Sequence, residues 1–234
     1  MMPLTSAGPF GSHVTDPPWE AKDQLPGPGR GASKKYKVMS TAAICTMPTP
    51  IMLPDSVLYI WRIGAMVPDA YRVAQAWGFE GKAEIVWRKM RRCGPCNGTG
   101  KRRTGGRGAT TIVTSCEACE GRGRIRHFGM GHHVRYVHES CIIATRGSPK
   151  RLAANIESEF EALMPEDDGE LIHSAKPREF YDIVERLYPG PYVETFSRTN
   201  RDNWVTLGDQ VPDVLRDRSG AKMRGLSRAL TGGA

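Results

Sequence analysis

The chain has no long apolar run. Nothing in its 234 residues approaches the roughly 18 consecutive apolar residues of a membrane-spanning helix. The first ten residues lack both a charged start and an extended apolar centre, so no secretory leader is expected and the chain reads as intracellular. Acids are scarce in one place. Between 88 and 126 only Glu117 and Glu120 oppose eleven Lys or Arg, a local charge of +9, while the remainder holds 22 basic and 23 acidic residues. The whole formal excess of +8 therefore sits in one segment. Such a segment reads as a phosphate-facing patch on a near-neutral body, with a merely solvated basic loop as the alternative. From 93 to 126 there is almost no apolar residue beyond Ile112, Val113 and Ile125, which excludes an independent hydrophobic core there. At 39% hydrophobic overall, the chain has material for one main domain and a small insertion.

What the basic segment does have is cysteine. Four of the six form Cys93-x2-Cys96 and Cys116-x2-Cys119, nineteen residues apart, the spacing of a four-thiolate zinc site. Each pair runs into glycines in the same pattern, Cys96-Asn97-Gly98-Thr99-Gly100 and Cys119-Glu120-Gly121-Arg122-Gly123. Glycine lets the backbone take positive φ and turn its N–H groups toward sulfur. The repeat resembles the knuckles of DnaJ-type zinc modules. Without a core, metal binding has to supply the folding energy, and four thiolates leave no open position for catalysis, so a structural Zn2+ is expected. Two disulfides are the alternative, disfavoured in a reducing compartment. Cys45 and Cys141 read as core residues, and His127, His132 and His133 as solvent or nucleic-acid contacts.

Asp16-Pro17-Pro18-Trp19 places a carboxylate, a stiffened carbonyl and an indole within four residues. Proline fixes φ and removes N–H donors, so the turn presents acceptors in a set direction. Such acceptors suit an exocyclic amine on a nucleobase, with Trp19 placed to stack on the base. A turn before a buried Trp is the plainer reading. Strands are expected at 57–61, 83–87, 140–145 and 192–196, and helices from Pro68 to Gly78 and from Pro177 to Tyr188. A further helix is expected over Lys150–Met164, ended by Glu166-Asp167-Asp168-Gly169. Gly11–Thr15 reads as a poor buried strand. Alternating strands and helices indicate an α/β protein with a mostly parallel sheet, and Asp16, Glu194 and Arg198 fall near strand ends, where ligands bind. Glu20–Lys35 reads as a loop, and residues 217–234 as a frayed basic tail.

In order along the chain come Asp16-Pro17-Pro18-Trp19, Lys35–Ser40, the strand ending at Trp61, Ala76–Phe79, Glu84–Lys89, His138-Glu139, Arg146-Gly147, His173–Pro177, Glu194–Arg198 and Asn203–Asp209. This series resembles the adenine-N6 methyltransferases of the type found in the catalytic subunit of the mRNA adenosine methyltransferase complex and its bacterial and phage relatives. The resemblance implies a Rossmann-like class I S-adenosylmethionine methyltransferase fold, permuted so that the catalytic tetrapeptide precedes the cofactor motifs. It implies Asp16 and Pro17 holding the target amine, with Pro18 and Trp19 completing the catalytic turn, and Trp19 and Tyr36 lining the base pocket. Asp16, His138, His173, Lys176, Glu194, Phe196, Arg198, Asn200, Asp209 and Gln210 would hold the cofactor. Some relatives carry lysine at the position of His138 and some asparagine at that of Asp209, and with fifteen residues before Asp16 the family's upstream cofactor-contacting segment is expected to be missing or replaced.

The organisation expected is a catalytic domain over 1–90 and 127–216, an inserted basic zinc-knuckle module at 91–126 and a tail at 217–234. Lys89, Arg91, Arg92, Arg102 and Arg103 are expected to meet nucleic acid, with double-stranded DNA preferred over RNA because the inserted module suggests target recognition. The resemblance adds a bacterial or phage-infected cytoplasm and a homodimer. Three other functions fit parts of the sequence: a non-catalytic nucleic-acid-binding subunit, a cytosine-N4 methyltransferase, and a chaperone-like zinc module that explains only 93–123.

Overall fold

A computed structural model describes residues 8–20, 38–105, 111–129, 133–167, 169–172, 174–208, 215–216 and 222–223. The chain forms β1 (Phe10–Thr15), α1 (Thr41–Thr46), β2 (Met52–Arg62), α2 (Val67–Ala76), β3 (Glu80–Arg92), β4 (Lys101–Thr104), β5 (Ile112–Ser115) and β6 (Arg124–Arg126). It continues with β7 (His138–Arg146), β8 (Glu159–Leu163), β9 (Glu166–Asp167), β10 (Glu170–Leu171), α3 (Arg178–Leu187), β11 (Tyr192–Thr195), β12 (Trp204–Leu207), β13 (Leu215–Arg216) and β14 (Lys222–Met223). Two compact units emerge: Met1–Ile85 with Ser140–Ser158 and Tyr181–Ala234, and Val86–Glu139 with Glu159–Phe180. Among the described residues no helix is long and apolar enough to cross a membrane.

In the first unit β1 pairs in parallel with β2 on one side and β11 on the other, and β11 pairs in parallel with β12. β7 then closes on β2 antiparallel, Trp61 opposite Cys141 and Ser56 opposite Arg146. The sheet is thus parallel at its centre and mixed overall. Its strands β2 and β7 bury near-continuous apolar runs, as strands covered on both faces do. Leu58, Ile60, Ile142 and Ala144 meet Ile44, Ala70, Val73, Ala74 and Trp77 in one core. α2 begins beside Pro68, which needs no N–H in the first turn, and ends before Gly78 at φ +79°. Both α2 and α3 match their expected spans, and α3 buries Ile183, Val184 and Leu187 on the anticipated stripe.

Two expectations are corrected here. β1, read as a poor strand, is buried along its whole length. Its polar residues find partners that only the fold brings: Ser12 Oγ donates to Pro189 O at 3.2 Å, and Thr195 Oγ1 donates to Thr15 Oγ1 at 2.8 Å. His13 Nε2 lies 2.9 Å from Thr195 Oγ1, and the ring stacks on Trp77 at 5.7 Å. Gly11 is required because a Cβ there would sit 2.9 Å from both Pro189 O and Gly190 O. A polar strand interior is stable when every polar group is paired. Lys150–Met164 is not helical. Its C-terminal part is β8, which pairs in parallel with β3 from Val86↔Glu159 to Met90↔Leu163. Glu166 and Asp167 beyond it form β9, which pairs antiparallel with β10, rather than a helix end.

Burial holds the His13 imidazole neutral, its pKa pushed down from 6.5 to about 3. The unfolded chain takes up that proton near pH 6.5 while the folded chain resists, so this contribution is intact above pH 6.5 and lost as pH falls toward 3. The loss expected from this group is about 4–5 kcal/mol over that window. Urea unfolding across the range should show it in the wild-type chain, and His13→Gln should flatten that part of the curve.

The second unit is built on β3, with β8 parallel on one side and β6 antiparallel on the other. Trp87 is buried and its indole N–H donates to Ala162 O at 3.0 Å. β4 and β5 form a separate antiparallel ribbon, Lys101 opposite Ser115 and Thr104 opposite Ile112.

Candidate active site and metal centre

Asp16 follows directly on β1, at the carboxyl end of a central parallel strand. The turn after it is tied twice, with Trp19 N–H donating to Pro17 O at 2.8 Å and Met39 N–H to Pro18 O at 2.8 Å. Trp19 is only 4% exposed, packs in the core with Ile44, Leu58 and Ile60, and donates its indole N–H to Trp61 O at 2.9 Å. The indole is therefore a core anchor that fixes the Asp16 turn. In this conformation the indole is buried rather than open to a base. Pro17 is buried and its carbonyl, holding one donor, keeps a second lone pair.

Glu194 lies near the end of β11, the neighbour of β1, and is 6% exposed. Tyr181 OH donates to its Oε1 at 2.6 Å, and Ser197 Oγ lies 2.9 Å from Oε2. Burial pushes the Glu194 carboxyl up; the Tyr181 and Ser197 hydrogen bonds and the Arg201 guanidinium pull it back, and the nearby Asp16 carboxylate adds to the rise. Burial and the same carboxylates hold Tyr181 protonated, well above its ordinary range. Arg201 stacks 3.7 Å from the Tyr181 ring centroid. The backbone that delivers these groups is constrained. Phe196 sits at φ +60°, Ser197 N–H donates to Leu207 O at 3.0 Å, and Gly208 is required because a Cβ would lie 2.1 Å from Ser197 O. Arg198 is half-buried, and Asn200 accepts from Thr206 Oγ1 at 2.9 Å. The first unit thus gathers Asp16 and Glu194–Asn200 at the carboxyl ends of β1 and β11. Tyr36, His173, Asp209 and Gln210 lie outside the described residues. Tyr181 and Arg201 are absent from the sequence expectations for the site, and Ser197 enters them only within the stretch Glu194–Arg198. Tyr181 lies off the apolar stripe of α3, and only its buried hydroxyl on Glu194 reveals it.

In the second unit Lys176 does not stand alone. Its side chain, 5% exposed, pairs with Glu139 at 3.2 Å and donates to Ser174 O at 3.2 Å, and Lys89 also pairs with Glu139. His138, beside Glu139, is exposed. Burial pushes the Glu139 carboxyl up, but Lys176 and Lys89 pull it down further, to about 2. A carboxyl lowered on folding adds stability above its unfolded pKa of 4.5, and that stability is lost as pH falls through 2. The expected loss is about 3 kcal/mol, read by denaturant titration between pH 5 and 2, and removed in Glu139→Gln.

The four cysteine thiols are buried, free of disulfides and within 4.8 Å of one another. Cys96 and Cys119 sulfurs are 3.7 Å apart and those of Cys93 and Cys116 3.9 Å. Tetrahedral zinc, bound at about 2.3 Å, spaces its sulfurs by about 3.8 Å, so the set fits that ion. Gly100 N–H and Gly123 N–H each donate to a sulfur, Cys96 and Cys119 respectively, at 3.3 Å. Asn97 and Glu120 take the same left-handed turn in the two halves. Among the described residues Ile125 is the partly buried apolar side chain that packs on the thiols, while Ile112 and Val113 are exposed.

The basic patch shrinks once the unit is assembled. Arg88 pairs with Glu159 and Glu161, Arg92 with Glu166, Arg124 with Glu161 and Arg122 with Glu120. Lys89 and Arg92, expected to meet nucleic acid, are thus engaged by acids within their own unit. Arg91, Lys101, Arg102, Arg103 and Arg126 remain exposed with no ion pair among the described residues.

Parallel strands with carboxylates beyond their carboxyl ends define an α/β protein, and this is the place where such sheets bind small ligands. That mixed, sheet-dominated architecture is consistent with the class I S-adenosylmethionine methyltransferase fold. The family profile described as MT-A70 matches residues 113–210. Similar proteins include the N(6)-adenosine-methyltransferase MT-A70-like protein of Drosophila melanogaster, 24% identical over 214 residues, 90% of this chain and 28% of the relative. The N(6)-adenosine-methyltransferase catalytic subunit METTL3 of Homo sapiens is 23% identical over 210 residues, 88% of this chain and 29% of its own length. A putative N(6)-adenosine-methyltransferase MT-A70-like protein of Medicago truncatula is 24% identical over 220 residues, 93% and 29%. The profile and these relatives make the chain similar to the MT-A70 adenine-N6 methyltransferases. It spans less than a third of the length of these curated relatives.

Proposed function

We propose that this chain transfers a methyl group from S-adenosylmethionine to the N6 amine of adenine in nucleic acid. The observation that carries the reading is the Asp16 carboxylate held at the end of β1 beside the buried Glu194–Tyr181–Ser197 cluster, in a chain that matches the MT-A70 profile over residues 113–210. The donor chemistry fits the cofactor. Two nearby carboxylates raise each other's cost of ionisation, so a cation is welcome there, and Glu194, Phe196, Arg198 and Asn200 supply acceptors and donors for a ribose and its substituents. When bound, S-adenosylmethionine supplies an electrophilic methyl on a sulfonium.

The chain's own residues do the rest. Adenine N6 is a poor nucleophile because its lone pair is conjugated with the ring. Asp16 accepts a hydrogen bond from one N6–H, and the free lone pair of Pro17 O accepts one from the other, which directs the nitrogen and stabilises the positive charge growing on it. One N6 proton then leaves by way of Asp16 to water as the neutral methylamine forms. Pro17, Pro18, the two backbone bonds and the Trp19 anchor keep these acceptors aligned before substrate arrives. In family terms the order is permuted, the catalytic turn preceding the cofactor strand.

A structural zinc on Cys93, Cys96, Cys116 and Cys119 organises a basic surface for the polymer, and DNA is the preferred substrate. The word adenosine in the relatives' names favours RNA as the second reading. Five exposed cations meeting phosphates give a slope of about −4 to −5 for log K against log salt on duplex DNA. The deciding experiment incubates the purified full chain with labelled S-adenosylmethionine and either DNA or RNA, then measures methylated nucleosides by mass spectrometry. N6-methyladenine in DNA is expected. N4-methylcytosine as the product would overturn the base assignment, and cofactor binding without any product would make the chain a non-catalytic subunit.

A further inference from the structure

The β4–β5 ribbon packs none of its side chains away from solvent: all eight residues are exposed. Two-stranded ribbons are marginal in water unless something holds their base. Here the base is the cysteine knot, through Cys116 N–H donating to Gly100 O at 2.8 Å, immediately before Lys101 pairs with Ser115. One strand carries Lys101, Arg102 and Arg103, and the other, Ile112-Val113-Thr114-Ser115, carries no charge. Elsewhere in this unit Arg88, Lys89, Arg92 and Arg124 are met by acids, yet among the described residues no ion pair engages these three cations.

We propose that this ribbon seats in the major groove of duplex DNA, an inference that rests on the nucleic-acid reading above. Two strands lie about 4.8 Å apart, so with side chains the ribbon fills the roughly 12 Å width of that groove. Arg102 stands opposite Thr114 and Arg103 opposite Val113, on alternate faces. Either face turned to the groove floor therefore presents one guanidinium, suited to guanine, beside a methyl group suited to the thymine methyl. Single strands are the poorer match, because the ribbon has no aromatic side chain on which a base can stack. Duplex RNA is poorer still, since its major groove is too deep and narrow for side chains to read.

The test replaces Lys101, Arg102 and Arg103 together by serine in the full, zinc-loaded chain and measures binding to a DNA duplex, one of its strands and an RNA duplex. Duplex DNA affinity should fall about 10- to 100-fold and the salt slope should become shallower by about 1 to 3. Single-strand binding should fall clearly less than duplex binding, and zinc content and cofactor affinity should hold. Val113→Glu, which leaves every cation in place, should also weaken duplex DNA binding. Unchanged duplex binding in both variants, or an equal loss on the single strand, would overturn the proposal. Wild-type binding is measured independently of methylation, so a chain that binds duplex through the ribbon but yields no product would sink the catalytic reading alone.

Discussion

Asp16→Ala is expected to lower methyl transfer by on the order of 10²–10³-fold while leaving S-adenosylmethionine affinity within a few-fold. Asp16 is the carboxylate placed at the end of β1 by a turn that Trp19 and Met39 hold rigid, so its loss removes an acceptor without loosening the backbone. Asp16→Asn keeps one acceptor and loses the charge, and its rate should fall between the two. The alanine variant also removes the negative charge felt by Glu194 and Tyr181. The Glu194 carboxyl should then titrate lower than in the wild type, a shift that carbon-detected NMR can follow. Single-turnover rates and equilibrium cofactor binding separate chemistry from affinity. Full activity in Asp16→Ala would end the assignment.

Removing the metal is expected to unfold residues 93–126. Structural zinc contributes about 10–16 kcal/mol to small modules of this kind, and nothing else here replaces it. The thiols pack with Ile125, while Ile112 and Val113 face water. The two knuckles also interlock tightly: a Cβ at Gly100 would lie 2.1 Å from Gly121 O, and one at Gly123 would lie 2.2 Å from Gly98 O. Without an ion Cys93 and Cys116 are protonated thiols, and the metal bonds that join the two knuckles at their centre are lost. Native mass spectrometry should find one zinc per chain. After chelation, or in Cys96→Ser with Cys119→Ser, amide exchange over 93–126 should rise by orders of magnitude while β1, β2 and β11 stay protected. Protection that survives complete chelation would refute a metal-held fold.

Elements whose stability is local were legible in the chain. α2 and α3 show their apolar stripes at helical spacing, and the glycines after each CxxC announce turns that only positive φ allows. Elements decided by distant partners were not. β8 looked helical because Glu and Ala favour helices, yet β3 offers it a full ladder, and Arg88 and Arg124 neutralise Glu159 and Glu161 there. β1 looked too polar for a core because its hydroxyls and imidazole are satisfied by Pro189 and Thr195, more than 170 residues away.

From the chain alone come the four paired cysteines, the DPPW turn, the ordered series of motifs and the concentration of positive charge, all properties of spacing along one strand of covalent structure. Tertiary structure decided which members of those sets are available. It turned Trp19 from a stacking surface into an anchor, made Tyr181 and Ser197 partners of Glu194, and left five exposed cations of the segment outside its ion pairs. The reason is that burial and pairing depend on which distant strands become neighbours. That choice is made by the summed packing of the sheet and core, and no single segment contains it.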